Sequence, residues 1–296
     1  MGKPGLNIYF LFTIACLFLF IIFPKQAYSQ LERKRAVENP PVELTFMAPK
    51  HINLYTTELL SRGEFHYSII HAFGEVNSGI QDLWGIDNGA NVKFYFEYGV
   101  SDKFALIFSR SSQDKVLNFT ARTRLLQQKQ KNGSPFSATA NFTAGLTTAE
   151  FGFLDDSYTF RDRMQFTLSS SIARKFSDRF SLLVTHIYSH FNRTGLELSL
   201  AAPDKSDYFS VGSGFRYKLL PRMALTFQSV LPVSHSTPDP NIAVGLDIET
   251  GGHVFQIFFT TSRALNETYL VAAENGSFFE SEFRFGFNVN RLFKLH

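Results

Sequence analysis

From about residue 62 onward the chain divides into twelve short segments in which apolar residues alternate with small or polar ones, joined by connections that alternate short and long. This wiring closes an antiparallel sheet into a membrane-spanning barrel, with tight turns at one rim and extended loops at the other. Phe136, Ala138, Ala140, Phe142, Ala144 and Leu146 point one way, and Ser137, Thr139, Asn141, Thr143 and Gly145 the other. A side-chain period of two means a sheet with two different faces.

The spacing predicts strands near 62–73, 91–99, 103–110, 115–127, 136–147, 163–175, 179–190, 207–219, 222–231, 241–249, 253–262 and 281–293. Val100-Ser101-Asp102, Ser177-Asp178, Leu220-Pro221 and Thr250-Gly251-Gly252 read as tight turns, with Lys129 to Pro135 longer than the pattern asks. On the opposite rim lie the long connections Gly74–Ala90, Ala149–Asp162, Asn192–Ser206, Pro232–Pro240 and Arg263–Phe279, with Ser111-Ser112-Gln113 short where length is expected. Bulky apolar residues such as Leu168, Phe209, Val244 and Phe287 then fall on a face toward hydrocarbon, and Gln165, Gly212, Gly214 and Asn288 on a face toward the lumen.

Ahead of the strands, residues 1–29 carry Lys3 and Lys25, no acid, an apolar run from Ile8 to Phe23, and Ala27-Tyr28-Ser29 before Gln30, the pattern of a cleaved signal peptide. The sole cysteine, Cys16, lies inside this leader, so the exported chain has no thiol for a disulfide, a nucleophile or a metal site. Without Lys3 and Lys25 the 29 basic residues fall to 27 against 26 acidic ones, which argues against nucleic acid as a partner. No run of 18 apolar residues follows the leader, which leaves a closed barrel in lipid or a soluble β-domain in the periplasm, and alternation alone does not decide between them. The expected organisation is a signal peptide (1–29), an N-terminal periplasmic segment (30–61) and an all-β, single antiparallel transmembrane barrel (62–296).

Several motifs carry a resemblance. Arg62-Gly63-Glu64-Phe65, His71-Ala72-Phe73-Gly74, Asp82-Leu83-Trp84-Gly85-Ile86-Asp87, Tyr98-Gly99-Val100-Ser101-Asp102 and the run Asp247 to Gln256 resemble an uncharacterised family of Bacteroidota β-barrels, over about Val42 to Phe293. The resemblance implies placement in the outer membrane, among its lipids, and supplies no catalytic residue. The last strand, with Phe283, Phe285, Phe287 and Val289 alternating toward Phe293, resembles the signal read by the outer-membrane assembly machinery, although Lys294-Leu295-His296 follow the aromatic.

Lumen-facing charges are the candidates for function: Lys93, Glu97, Arg122, Arg124, Arg216, Lys218, Asp247, Glu249, Glu282 and Arg284. Such charges either select a permeating solute or pair with one another to fill the interior. His186 and His190 lie four apart on one strand, roughly 13 Å along it, too far for one metal ion. Neither they nor His71 and His253 suggest a metal, and no cofactor is expected. Ser, His and acidic residues show no local hydrolase signature, so catalysis is the least favoured reading. Gly251 and Gly252 read as a tight-turn requirement, with Glu249 and His253 as potential partners across it. The loop carrying Trp84, the only tryptophan, either binds something or folds into the barrel mouth. The expected function is a small-solute pore or binding barrel; the alternatives are a non-conducting accessory barrel of an envelope complex and, behind both, an outer-membrane hydrolase.

Overall fold

The computed structural model describes residues 39–150, 158–192, 205–234 and 239–295, so the expected signal peptide lies outside the described residues. Two two-residue strands come first, β1 (Lys50–His51) and β2 (Leu54–Tyr55), paired as a small hairpin. The barrel strands follow: β3 (Glu64–Glu75), β4 (Asn91–Ser101), β5 (Phe104–Ser111), β6 (Val116–Leu126), β7 (Ser137–Thr147) and β8 (Met164–Lys175). The second half comprises β9 (Phe180–Phe191), β10 (Asp207–Leu220), β11 (Met223–Pro232), β12 (Asn241–Thr250), β13 (His253–Thr260) and β14 (Arg284–Lys294).

Each barrel strand pairs antiparallel with its sequence neighbour, and β14 pairs with β3 to close a barrel of twelve strands. Closure leaves no unpaired edge, which a sheet in hydrocarbon requires. The twelve strands stand where the alternation placed them, with ends displaced by at most three residues. Gly251 and Gly252, at φ of 50° and 96°, make the β12–β13 turn, a region that a Cβ disfavours.

Alternation also sorted the faces. Phe142, Leu168, Phe209 and Val244 are exposed on the outside, while Thr143, Ser169, Ser210 and Gly245 are buried inside. Outward rings stack across strands, as Phe215 on Phe227 at 5.4 Å and His71 on Phe287 at 4.5 Å. Among the described residues no helix is long and apolar enough to cross a membrane; the strands do so. Phe142 lies near mid-strand and is 49% exposed, so Phe142→Arg should cost about 2–4 kcal/mol in denaturant unfolding from liposomes. A negligible cost would mean that Phe142 does not meet hydrocarbon.

The N-terminal segment departs from expectation. Residues 30–61 were expected in the periplasm, yet from Thr45 to Leu60 every residue but Glu58 is buried, and β1 and β2 stand inside the barrel. The physical reason is that a barrel of this width leaves more space than its own wall side chains fill. A second element enters from the long-loop rim: the β13–β14 connection turns inward with a short helix, α1 (Glu267–Leu270), all four residues of which are buried. Its neck is closed by a bridge between Ser262 and Asn275.

Candidate functional site

The site is the stoppered lumen. The two inserted elements meet inside it, where the Tyr55 amide donates to Glu267 Oε1 at 3.0 Å. α1 begins with Asn266 accepting from the Tyr269 amide at 2.9 Å, a side-chain cap that holds the turn. The helix then leans on the wall: Ser169 Oγ donates to Glu267 Oε2 at 2.8 Å and Thr167 Oγ1 to Thr268 Oγ1 at 2.7 Å.

How the wall grips the N-terminal stopper follows from the demand that buried main-chain groups be paired. Within it β1 pairs with β2, the Thr56 amide donates to the Pro49 carbonyl at 2.9 Å and its own side chains take a few more main-chain groups, while wall side chains supply partners for others. Gln228 Oε1 accepts from the amides of Asn53 and Leu54 at 3.0 and 3.1 Å. Gln256 Nε2 donates to the Lys50 carbonyl at 3.2 Å, Asn288 Nδ2 to that of Ile52 at 3.0 Å, and Ser171 Oγ to that of Tyr55 at 2.7 Å. Space is made by glycine: a Cβ on Gly212 would stand 2.9 Å from Leu54 Cδ1, and one on Gly214 would stand 2.7 Å from His51 Cδ2. An apolar cluster joins Phe46 and Leu54 of the stopper, Tyr269 and Leu270 of α1, and Leu183, Ile187 and Phe191 of β9.

Of the ten charges expected in the lumen, the structure sends six to its interior. Arg122, fully buried, makes a 2.9 Å ion pair with Glu97, donates to the Thr56 and Glu58 carbonyls at 2.7 and 3.3 Å, and lies 5.0 Å over the Tyr55 ring. Arg124 donates to the Leu59 carbonyl at 3.1 Å, Arg216 to that of Leu44 at 3.3 Å, and Lys93 to that of Leu265 at 3.4 Å. Asp247 accepts from Gln256 at 3.1 Å. Four of these groups, Lys93, Arg122, Arg124 and Arg216, hold main-chain carbonyls of the inserted segments.

The other four stand toward the rims. Arg284 pairs with Glu75, Glu282 accepts from the Ser277 amide at 2.8 Å, and Lys218 and Glu249 are partly exposed near the short turns. His253 meets Arg291, at 3.3 Å, and its cross-strand register partner is Thr250; Glu249 stands opposite Val254. His186 and His190 face outward, and His190 bonds Asp207 at 2.9 Å. Trp84 is half-exposed on its loop, so the loop that folds into the barrel is the one between β13 and β14.

Sequence reasoning missed the neutral grip residues Gln228, Gln256, Asn288 and Ser171, and the stoppers themselves. Two signals were present. Leu183, Ile187 and Phe191 are apolar at inward positions, which a water-filled lumen would not favour, and Tyr269 to Ala273 are too apolar for an exposed loop.

At the short-turn end a cavity of about 1600 Å³ remains, bordered by Glu58, His66, Arg124, Lys175 and the 127–135 connection. That connection, the turn that ran longer than the pattern, clasps the chain where it enters the barrel: the Val42 amide donates to the Gln128 carbonyl at 2.8 Å and that of Gln130 to the Pro40 carbonyl at 3.3 Å. Glu58 accepts from the amides of Thr45 and Phe46 at 2.9 and 3.3 Å. Burial pushes the Glu58 carboxyl above its ordinary range, and those amides with Arg124 oppose the rise.

Closed antiparallel strands, an apolar outer face and a polar, filled interior define a transmembrane β-barrel of the outer-membrane class. Residues 46–293 match the family described as a membrane-bound β-barrel domain (DUF5777), and the chain belongs to that family. Comparison with curated proteins gives no match. Among solved structures, the NanC porin is similar at 7% identity and a TM-score of 0.49, over 78% of this chain and all of that one. The COG4313 outer-membrane channel from Pseudomonas putida F1 is similar at 12% identity and a TM-score of 0.47, over 80% of this chain and 97% of that one. The KdgM porin is similar at 8% identity and 0.45, over 79% and 99%. Likeness at this level carries no argument about cargo.

Proposed function

We propose that this protein is a gated small-solute barrel of the outer membrane, exported with loss of residues 1–29 and inserted by the assembly machinery, and closed at rest by its own N-terminal segment. One observation carries the reading: most wall contacts to the stopper's main chain are side-chain hydrogen bonds rather than strand pairing. Each such bond is worth on the order of 1 kcal/mol net, so the stopper can leave while the ladders of the barrel stay intact. The short-turn rim, periplasmic by the wiring of such barrels, gives it somewhere to go, through the clasp and the cavity beside it.

The test is conductance in a planar bilayer under moderate urea, which loosens polar contacts before the barrel opens. The protein should be silent at rest, show discrete steps in urea while still running as a folded, heat-modifiable barrel, and fall silent again on dilution. A Leu54→Cys/Gly212→Cys pair, placed where a Gly212 Cβ would lie 3.6 Å from Leu54 Cγ, should lock it shut until a reductant is added. The filled lumen also fits a second reading, a barrel that never conducts and serves an envelope complex. Silence at every urea concentration below barrel unfolding would decide for that one.

A further inference from the structure

Two arginines stand on the face that meets lipid. Alternation along β8 turns Arg174 outward with Leu168 and Ile172, and along β14 it turns Arg291 outward with Phe287 and Val289. Each precedes by two residues the last outward ring of its row at the short-turn rim, Phe176 or Phe293, and so lies about 7 Å along the strand toward the membrane interior. Those rings belong to an aromatic belt, Phe176 against Phe180 at 6.0 Å and Phe293 against Phe65 at 6.3 Å. In both cases the guanidinium covers the ring, 4.8 Å from its centroid. β8 and β14 are six places apart in the closed order of twelve strands, hence on opposite sides of the barrel.

Neither guanidinium has a counter-charge. Among the described residues no carboxylate lies within ion-pair range of Arg174 or Arg291. Arg291 meets His253 Nε2 at 3.3 Å, a neighbour across the β13–β14 ladder that brings no negative charge. A charge on the lipid face is tolerated near the interface, where the side chain reaches back to the polar layer. The nearest anions in that layer are phosphodiester oxygens, which a guanidinium binds in a two-pronged fashion. Cation–π contact consumes no N–H donor, so apart from the one that Arg291 shares with His253 the donors remain for phosphate. The surrounding turns add positive charge, exposing Lys103, Lys131, Arg179 and Arg222 against Asp102 and Asp178.

We infer that Arg174 over Phe176, and Arg291 over Phe293 beside His253, are two phospholipid sites on opposite sides of the barrel. Each takes the phosphodiester of an anionic phospholipid from the leaflet at the short-turn rim. The pair of sites gives the Thr250-Gly251-Gly252-His253 hairpin a use beyond its turn, since the hairpin sets His253 opposite Arg291. The inference uses the placement of the barrel in the outer membrane and is independent of the gate, so a barrel that never conducts tests it equally well.

The experiment folds the full-length protein into vesicles of equal phosphatidylglycerol and phosphatidylcholine, extracts it in mild detergent and weighs it intact by native mass spectrometry. The unaltered chain should keep two phosphatidylglycerol molecules, favoured about fivefold or more over phosphatidylcholine. Arg174→Gln and Arg291→Gln should each lose one, and the double variant both, with heat-modifiable mobility retained throughout. Arg110→Gln is the control, an exposed arginine at the long-loop end of β5 that should leave both lipids in place. Inorganic phosphate added to the extracted barrel should displace neither. A chain that keeps no lipid, a double variant that keeps as many as the unaltered chain, or equal retention of the two lipids overturns the inference. Displacement by inorganic phosphate also overturns it, because it marks a plain anion site.

Discussion

Gly212→Leu should turn a silent barrel into a conducting one. Gly212 faces the lumen on β10, its backbone is ordinary extended strand, and the three atoms nearest an added Cβ all belong to the Leu54 side chain, the first, Cδ1, at 2.9 Å. The nearest steric conflict of a larger side chain there therefore falls on the stopper. Overpacking of this kind costs about 1–3 kcal/mol, set against a stopper held by polar contacts of order 1 kcal/mol each. Bilayer recordings should show steps in the variant without urea, and a protease added to the short-turn side should cut within residues 45–60 while the barrel keeps its heat-modifiable mobility. Gly286→Leu is the control, because a Cβ there would meet Phe258 and the His71 carbonyl, parts of the wall itself. It should destabilise the barrel without opening it. Silence from Gly212→Leu with an intact, protease-resistant stopper would show that the segment is bound far more strongly than its contacts imply.

Arg122→Ala should be the most costly single truncation in the lumen. The guanidinium joins three parts: Glu97 on β4, Asn141 on β7 at 3.0 Å, and the Thr56 and Glu58 carbonyls of the stopper. Removing it leaves the Glu97 carboxylate buried without its cation, a loss of about 3–5 kcal/mol in denaturant unfolding. The double variant Arg122→Met/Glu97→Met should recover much of that, because it removes the stranded charge along with its partner. Full recovery of stability combined with faster proteolysis at 45–60 would separate the two jobs of this arginine, balancing Glu97 and holding the stopper. Equal stability for Arg122→Ala and the unaltered chain would mean that water already solvates the pair.

Much of this architecture was legible in the sequence because it is written at short range. Phe142 and Thr143 sort to opposite faces by the period of two, and Gly251 with Gly252 fixes a turn within four residues, so strands, rims and faces need no knowledge of the rest of the chain. The charged positions of the lumen were legible for the same reason, since Arg122 and Glu97 each sit at an inward place on a clean strand. Their partners were not. Asn288 reaches Ile52 across 236 positions and Tyr55 reaches Glu267 across 212, and no local pattern marks either pair. The sequence by itself determined a twelve-stranded barrel, its short and long rims and its two faces, because backbone pairing and side-chain alternation are local rules repeated strand by strand. Only the tertiary structure decided that the lumen is filled, by which segments and through which side chains, because burying a polar main chain depends on partners that meet only once the barrel has closed.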